Sequence, residues 1–203
     1  MKRFVPAILG AFATVAAAQP SMSPANRDPA TVQAGSYKVD PNHTQVMFTV
    51  SHMGFSEYTG RFTGVDGSLQ LDPKRVAATQ LDVTIPVASV STTSAQLDGE
   101  LKSDQWLDAS RFGQMRFRSV KVTPTGVGRA RIDGELTLHG VTRPVTLQAR
   151  FVGAGVNPLD KAYTVGFEAT GTLSRSDFAV KTYVPLIGDE VKLTLAGAFE
   201  KAV

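Results

Sequence analysis

From residue 36 onward, apolar and polar residues alternate in one segment after another, the period of strands that bury one face. Val46, Phe48 and Val50 share a parity across residues 44–52, with residues 37–39 as a lead-in. Phe62 then precedes Val65, Gly67, Leu69 and Leu71, and the parity slip near Gly64 predicts a bulge. Leu81, Val83 and Ile85 form a third set, ended by Pro86. Met115 and Phe117, followed after another slip by Val120 and Val122, form a fourth. Further sets are Ala130 to Leu138, Val145 to Phe151, Val165 to Leu173 and Val191 to Phe199, each taken at every second residue. Eight such strands, mostly joined by short turns, predict an all-β fold: an eight-stranded antiparallel β-barrel, because closure removes exposed edges.

One stretch breaks the rhythm. Leu97 and Leu101 fall at i and i+4, and Thr93 with Gln96 three residues later has the pattern of a capping box. One short helical insert near residues 94–102 is predicted, with Gly99 weakening it by about 1 kcal/mol. Its Leu97/Leu101 stripe, with Trp106 and Leu107 just beyond, is expected to cover a barrel wall or close one end.

Composition mainly excludes. The chain of 203 residues has no Cys, which rules out disulfides, a thiolate zinc site, a thiol nucleophile and a bacterial lipoprotein anchor. Lys2 and Arg3, the apolar run from Phe4 to Val15 and the small residues Ala16, Ala17 and Ala18 have the pattern of a secretory signal peptide, residues 1–18. The run is shorter than the roughly 20 residues of a membrane span, so the mature chain is expected not to span a membrane. Cleavage would remove 2 of the 21 basic residues and leave 19 against 18 acidic ones, a net charge of +1, so nucleic acid is a poor candidate partner. Residues 19–35, with three prolines and no aromatic residue, have the composition of a flexible N-terminal segment, and residues 36–203 form one domain.

Candidate chemistry is sparse. His43 and His52 are nine residues apart and would point to opposite faces of one pleat, while His139 sits at a strand end before Gly140. None has metal-ligand spacing, and each is expected to be a hydrogen-bonded structural residue or a polar group at a pocket mouth. No nucleophile elbow, zinc-binding helix or phosphate loop occurs, so no metal, cofactor or catalytic group is expected. Ser174, Arg175, Ser176 and Asp177 are expected to form a turn stabilised by Asp177 and an Arg175 ion pair. The inward-facing sets also contain Gly67, Gly134, Gly171 and Gly197 with Ala130, Ala149 and Ala169. Two readings stay open: these small residues leave an apolar pocket at the barrel axis, or they mark strand bends whose gaps large neighbours fill. If Gly134 faces an open pocket, Gly134→Phe is expected to block it without unfolding the barrel.

Five ordered motifs carry a family resemblance. These are DPNHTQVMFTVSHMGFSEYTGRF (residues 40–62), LKSDQWLDASRFGQMRFRS (101–119), GELTLHGVTRPV (134–145), SRSDFAV (174–180) and LIGDEVKLTL (186–195). In order and spacing they resemble the YceI-like family, over about residues 36–199. Two positions depart from its pattern: Thr44 replaces a frequent serine, and Ala179 stands where glycine commonly follows Asp-Phe. With alanine there, the turn is expected not to depend on a glycine-only positive φ.

The resemblance implies a lipocalin-like barrel exported to the bacterial periplasm, with a polyisoprenoid or related long-chain lipid, such as an isoprenoid quinone, inside it. It also makes a homodimer reasonable. On that reading the apolar wall is expected to comprise Phe48, Val50, Phe62, Leu69, Leu81, Val83, Phe117, Leu136, Leu147, Phe167 and Leu195. Leu97 and Trp106 would close one end, and His52 and Arg175 would meet a head group at the mouth. The alternatives are an accessory protein that holds a membrane redox partner through its exterior or residues 104–114, and a lipid-modifying enzyme using His52 or Asp177.

Overall fold

The computed structural model describes residues 23–202; the predicted signal peptide lies outside them. Ten strands pair antiparallel: β1 (Gly35–Val39), β2 (Gln45–His52), β3 (Ser56–Phe62), β4 (Asp66–Leu71), β5 (Gln80–Pro86), β6 (Gln114–Gly126), β7 (Arg129–Leu138), β8 (Val141–Val156), β9 (Tyr163–Ser174) and β10 (Ile187–Lys201). They close into a barrel of eight staves. β2 pairs with β10 from His52↔Ile187 to Gln45↔Ala196, and β1 continues along the same edge from Val39↔Phe199 to Tyr37↔Lys201. β1 and β2 are therefore one interrupted stave. β3 and β4 are another, since β3 lies on β2 and β4 on β1. The predicted bulge near Gly64 is thus a strand break, with Gly64 at φ +65° against Pro86.

The alternation survives because each inward set meets the others across the axis. Tyr37, Val65, Leu69, Ile85, Met115, Phe117, Leu136, Val145, Leu147, Val165 and Phe199 are all buried. Burial pushes the Tyr37 hydroxyl up to about 12, and that hydroxyl donates to the Gln33 carbonyl. Val120 corrects the predicted pattern. The β6–β7 register shifts between Ser119 and Lys121, which leaves Val120 on the outside while Val122 returns to the core.

The wall is not hydrogen-bonded all the way round. β3 pairs with β2 along one edge, and its other edge makes only the Arg61↔Ser91 bridge. Residues 87–113 fill that side with helix α1 (Ala95–Lys102). The helix cap is Ser94, whose Oγ accepts from the Leu97 amide at 3.3 Å, one residue later than the Thr93 box predicted. Thr92 uses its amide and hydroxyl to donate to Asp98 Oδ1, both at 2.7 Å, and so ties the entry to the helix.

The N-terminal segment is not a free tail from Ser23 onward. Asn26 exchanges both backbone hydrogen bonds with Ala154, and Val32 is buried in the core. Its partner is the irregular part of β8, where the β8–β9 register shifts between Phe151 and Gly153.

The turn after β9 also differs from expectation. Ala179 adopts φ 63° and ψ 8°, the left-handed conformation that caps the Arg175–Phe178 turn, despite carrying a Cβ. The Cβ costs about 1–2 kcal/mol there, against about 0.5–1 kcal/mol of extra chain entropy lost by glycine. Ala179→Gly is therefore expected to stabilise the fold by up to about 1 kcal/mol, read as a higher urea midpoint with an unchanged m-value. A lower midpoint would contradict the conformation.

Candidate ligand-binding cavity

The barrel encloses a cavity of about 770 Å³, within the range of small-molecule pockets. All of the predicted wall residues line it: Phe48 and Val50 from β2, Phe62 from β3, Leu69 from β4, Leu81 and Val83 from β5, Phe117 from β6, Leu136 from β7, Leu147 from β8, Phe167 from β9 and Leu195 from β10. Leu97 from α1 and Trp106 lie on its boundary, as do His52 and Arg175. The alternation delivers them because every second residue of each stave faces the axis.

Other lining residues went unnamed in the sequence. Val191 and Leu193 share the parity of Leu195, so the alternation already contained them. Val180 and Tyr183 come from an irregular loop, whereas Leu101 and Leu107 belong to the insert expected to cover a barrel wall or close one end, and they line the cavity with Leu97 and Trp106. Nothing periodic marks where the loop carrying Val180 and Tyr183 crosses the barrel end.

The small residues divide by environment. Ala130, Ala149 and Ala169 border open cavity; Gly197 also lines it, but a Cβ there would lie 3.1 Å from the Phe199 ring. Gly134 does not, because a Cβ there would lie 2.4 Å from the Phe117 ring and 2.5 Å from the Arg118 carbonyl oxygen. A Cβ on Gly171 would meet Leu147, and one on Gly67, at φ +142°, would sit 2.2 Å from the Asp82 carbonyl oxygen. Gly134 and Gly171 thus let large neighbours fill the space above them, and Gly134→Phe is expected to disrupt the barrel rather than plug it.

Polar groups border both ends of the cavity, Thr44, Gln45 and Glu168 at one and a larger set at the other. His52 pairs with Ile187 in the last rung of β2–β10, and Ser56, Tyr58, Glu100, Arg175 and Tyr183 border the same end. Arg175 corrects the predicted ion pair. Its guanidinium is buried and donates to three carbonyls, Nε to Gly188 at 2.9 Å, Nη1 to Val180 at 3.1 Å and Nη2 to Ile187 at 2.8 Å. It also stacks at 5.2 Å on Trp106, whose indole N–H donates to Glu100 Oε1 at 3.2 Å. Burial lowers the Arg175 pKa, with Asp189 acting in the opposite sense. Asp189, not Asp177, anchors the turn by accepting from the Ser176 amide and hydroxyl at 2.8 and 2.7 Å.

The remaining candidates stand apart from the cavity. Asp177 is exposed in an outer groove beside Arg143 and Glu190. His139 packs against Phe112 at 4.7 Å, and its buried Nδ1 has no hydrogen-bond partner, contrary to the predicted hydrogen-bonded role. His43 lies on the surface before β2, with Nδ1 2.5 Å from Asp40 Oδ2, and that hydrogen bond raises its pKa above 6.5. The neighbouring Thr44 hydroxyl donates to the Ala198 carbonyl, so Asp40, His43 and Thr44 do not assemble a hydrolytic triad. Among the described residues no three His, Asp or Glu side chains cluster as metal ligands.

An antiparallel barrel of eight staves, with a helical insert on one side and an apolar interior, defines a lipocalin-like fold. Residues 37–199 match the YceI-like domain, and the chain belongs to that family. A UPF0312 protein of Vibrio parahaemolyticus is 36% identical over 154 residues, covering 75% of this chain and 81% of that protein. A second, from Ectopseudomonas mendocina, is 38% identical over 165 residues, covering 80% and 86%. Among solved structures, the Campylobacter jejuni YceI protein superposes with a TM-score of 0.67 at 27% identity, over 75% of this chain and 90% of its own. A Saccharophagus degradans domain described as polyisoprenoid binding and implicated in plant cell wall breakdown shares the fold, with a TM-score of 0.62 at 14% identity over 84% and 100%.

Proposed function

We propose that this protein is a periplasmic carrier or sequestering protein for a polyisoprenoid or another long-chain amphiphile, such as an isoprenoid quinone. The tail would lie along the barrel axis and the head at the end bordered by His52 and Tyr183. The observation that carries this reading is the cavity lining, in which Val, Leu, Ile and Phe from all eight staves meet with few polar side chains. Such a surface gains about 25 cal/mol per Å² of apolar area removed from water and offers a sugar or nucleotide little to bond. The naming of the Saccharophagus domain supports the ligand class, and the leader pattern of residues 1–18 supports export. Binding rather than catalysis is our reading because the lining offers mainly apolar area, the Ser56 side chain opposite His52 is not hydrogen-bonded to its ring, and Asp177 lies outside the cavity.

Solvent extraction of gently purified protein, followed by mass spectrometry, is expected to release a prenyl-chain lipid. Trp106, the chain's single tryptophan, lies on the cavity wall, so its fluorescence reports uptake directly. Affinity for a series of prenyl alcohols is expected to rise by up to about four-fold per added CH₂-sized group until the cavity is filled. An extract without lipid, together with no Trp106 response to any chain length, would overturn the proposal.

A further inference from the structure

The two segments that meet at the His52 end of the cavity expose apolar side chains. In the turn after β2, Met53 and Phe55 are exposed, Phe55 at 87%. In the loop before β10, Tyr183, Val184 and Leu186 are exposed, Leu186 at 61%. The segments are locked together: the Met53 amide donates to the Leu186 carbonyl at 2.9 Å, and Ile187 pairs with His52. Tyr183 reaches the other side of the opening, 6.1 Å from the Trp106 ring, while the Thr182 hydroxyl donates to the Gln105 carbonyl. Met53 and Tyr183 also line the cavity, so exposed rim and interior form one continuous apolar surface.

Charge separates this rim from the rest of the barrel. The outer wall carries ion pairs such as Arg116–Asp82, Arg131–Asp133 and Arg150–Glu168, which do not belong in hydrocarbon. Residues 52–56 and 181–187 contain no carboxylate, and their one fixed charge is Lys181. Among the described residues no helix is long and apolar enough to cross a membrane. The acids that flank these segments are engaged, Glu57 with Lys192 and Glu100 with the Trp106 indole, so a protruding apolar rim that itself carries only a cation fits the headgroup boundary of an anionic bilayer.

We propose that this rim docks the protein on a phospholipid bilayer, placing the cavity opening against the layer in which long-chain amphiphiles reside. The proposal rests on the cavity reading above for its purpose, but its contact surface can be tested separately.

The full-length mature protein is sedimented with vesicles of phosphatidylglycerol and phosphatidylcholine. Binding is expected, and the paired change Phe55→Ser and Leu186→Ser is expected to reduce it by about ten-fold or more. Neither side chain lines the cavity, so uptake of a dispersed prenyl alcohol, read by Trp106, should remain at the parent level. Leu159→Ser, at the opposite barrel end and 90% exposed, should sediment like the parent. The inference is overturned if the parent does not bind vesicles, if the double variant binds as well as the parent, or if Leu159→Ser loses as much. Retention by membranes but not by protein-free vesicles also overturns it, in favour of a protein partner. Uptake without vesicle binding removes docking and leaves the carrier reading; vesicle binding without uptake does the reverse.

Discussion

Replacing Ala149 and Ala169 together by phenylalanine is expected to abolish uptake of a prenyl alcohol while the barrel remains folded. The two alanines face each other across the β8–β9 ladder and border the cavity at mid-wall. Opposed side chains in such a pair are about 5 Å apart, so two aromatic rings would occupy the volume in front of both strands. In an open cavity the added rings cost the free protein little. A ligand forced to share the space with them loses about 3 kcal/mol, or about 100-fold in affinity. Trp106 fluorescence would measure the loss, and circular dichroism with the urea midpoint would establish folding. Parent-level uptake would place the bound chain elsewhere in the barrel. Gly134→Ala supplies the contrast, since even one methyl group meets both a ring and a carbonyl there.

The largest stability effect is expected at Arg175. Arg175→Met keeps a long apolar stem but leaves the Gly188, Val180 and Ile187 carbonyls without their donor. Each buried unsatisfied acceptor costs about 1–3 kcal/mol; with partial relaxation the total is about 3–5 kcal/mol, a large share of the stability of a single domain. Arg175→Lys is expected to recover less than half, because one ammonium cannot reach three carbonyls spread around a planar fork. Urea unfolding followed at Trp106, which stacks on Arg175, reads both changes. A loss below about 1 kcal/mol for Arg175→Met would show that the loop holds its shape without this side chain.

These cases mark what the chain made legible. Wall positions such as Phe48, Phe117 and Leu147 follow from parity alone, because a pleated stave with one buried face admits a single assignment of its alternate residues. Val120 escaped because a bulge changes parity without announcing which of its residues turns outward. The glycines were ambiguous for a related reason: an absent side chain leaves the same blank whether open cavity or the Phe117 ring lies above it. Arg175 misled because a guanidinium invites an acidic partner, whereas the loop that returns over it offers backbone oxygens, and no local pattern encodes that return. Ala179 was expected to avoid the left-handed region, yet the turn it caps is held in place by Arg175 and Asp189 contacts made thirteen or fewer residues away. Residues 23–35 have a composition suited to a tail, but the irregular stretch of β8 supplies backbone groups that the segment satisfies.

The pairing of Tyr37 with Lys201 joins the first strand to the last. Until β10 is available, β9 lacks a neighbour on one side, and the β1–β2 stave has the β3–β4 stave along one edge and nothing along the other. Closure therefore comes late in folding, after contacts that span almost the whole domain, and such topologies fold in milliseconds to seconds rather than microseconds. During that interval the open sheet presents two unpaired edges able to recruit strands from other copies. Yield of this protein should thus be governed less by the stability of the finished barrel than by how long its seam stays open.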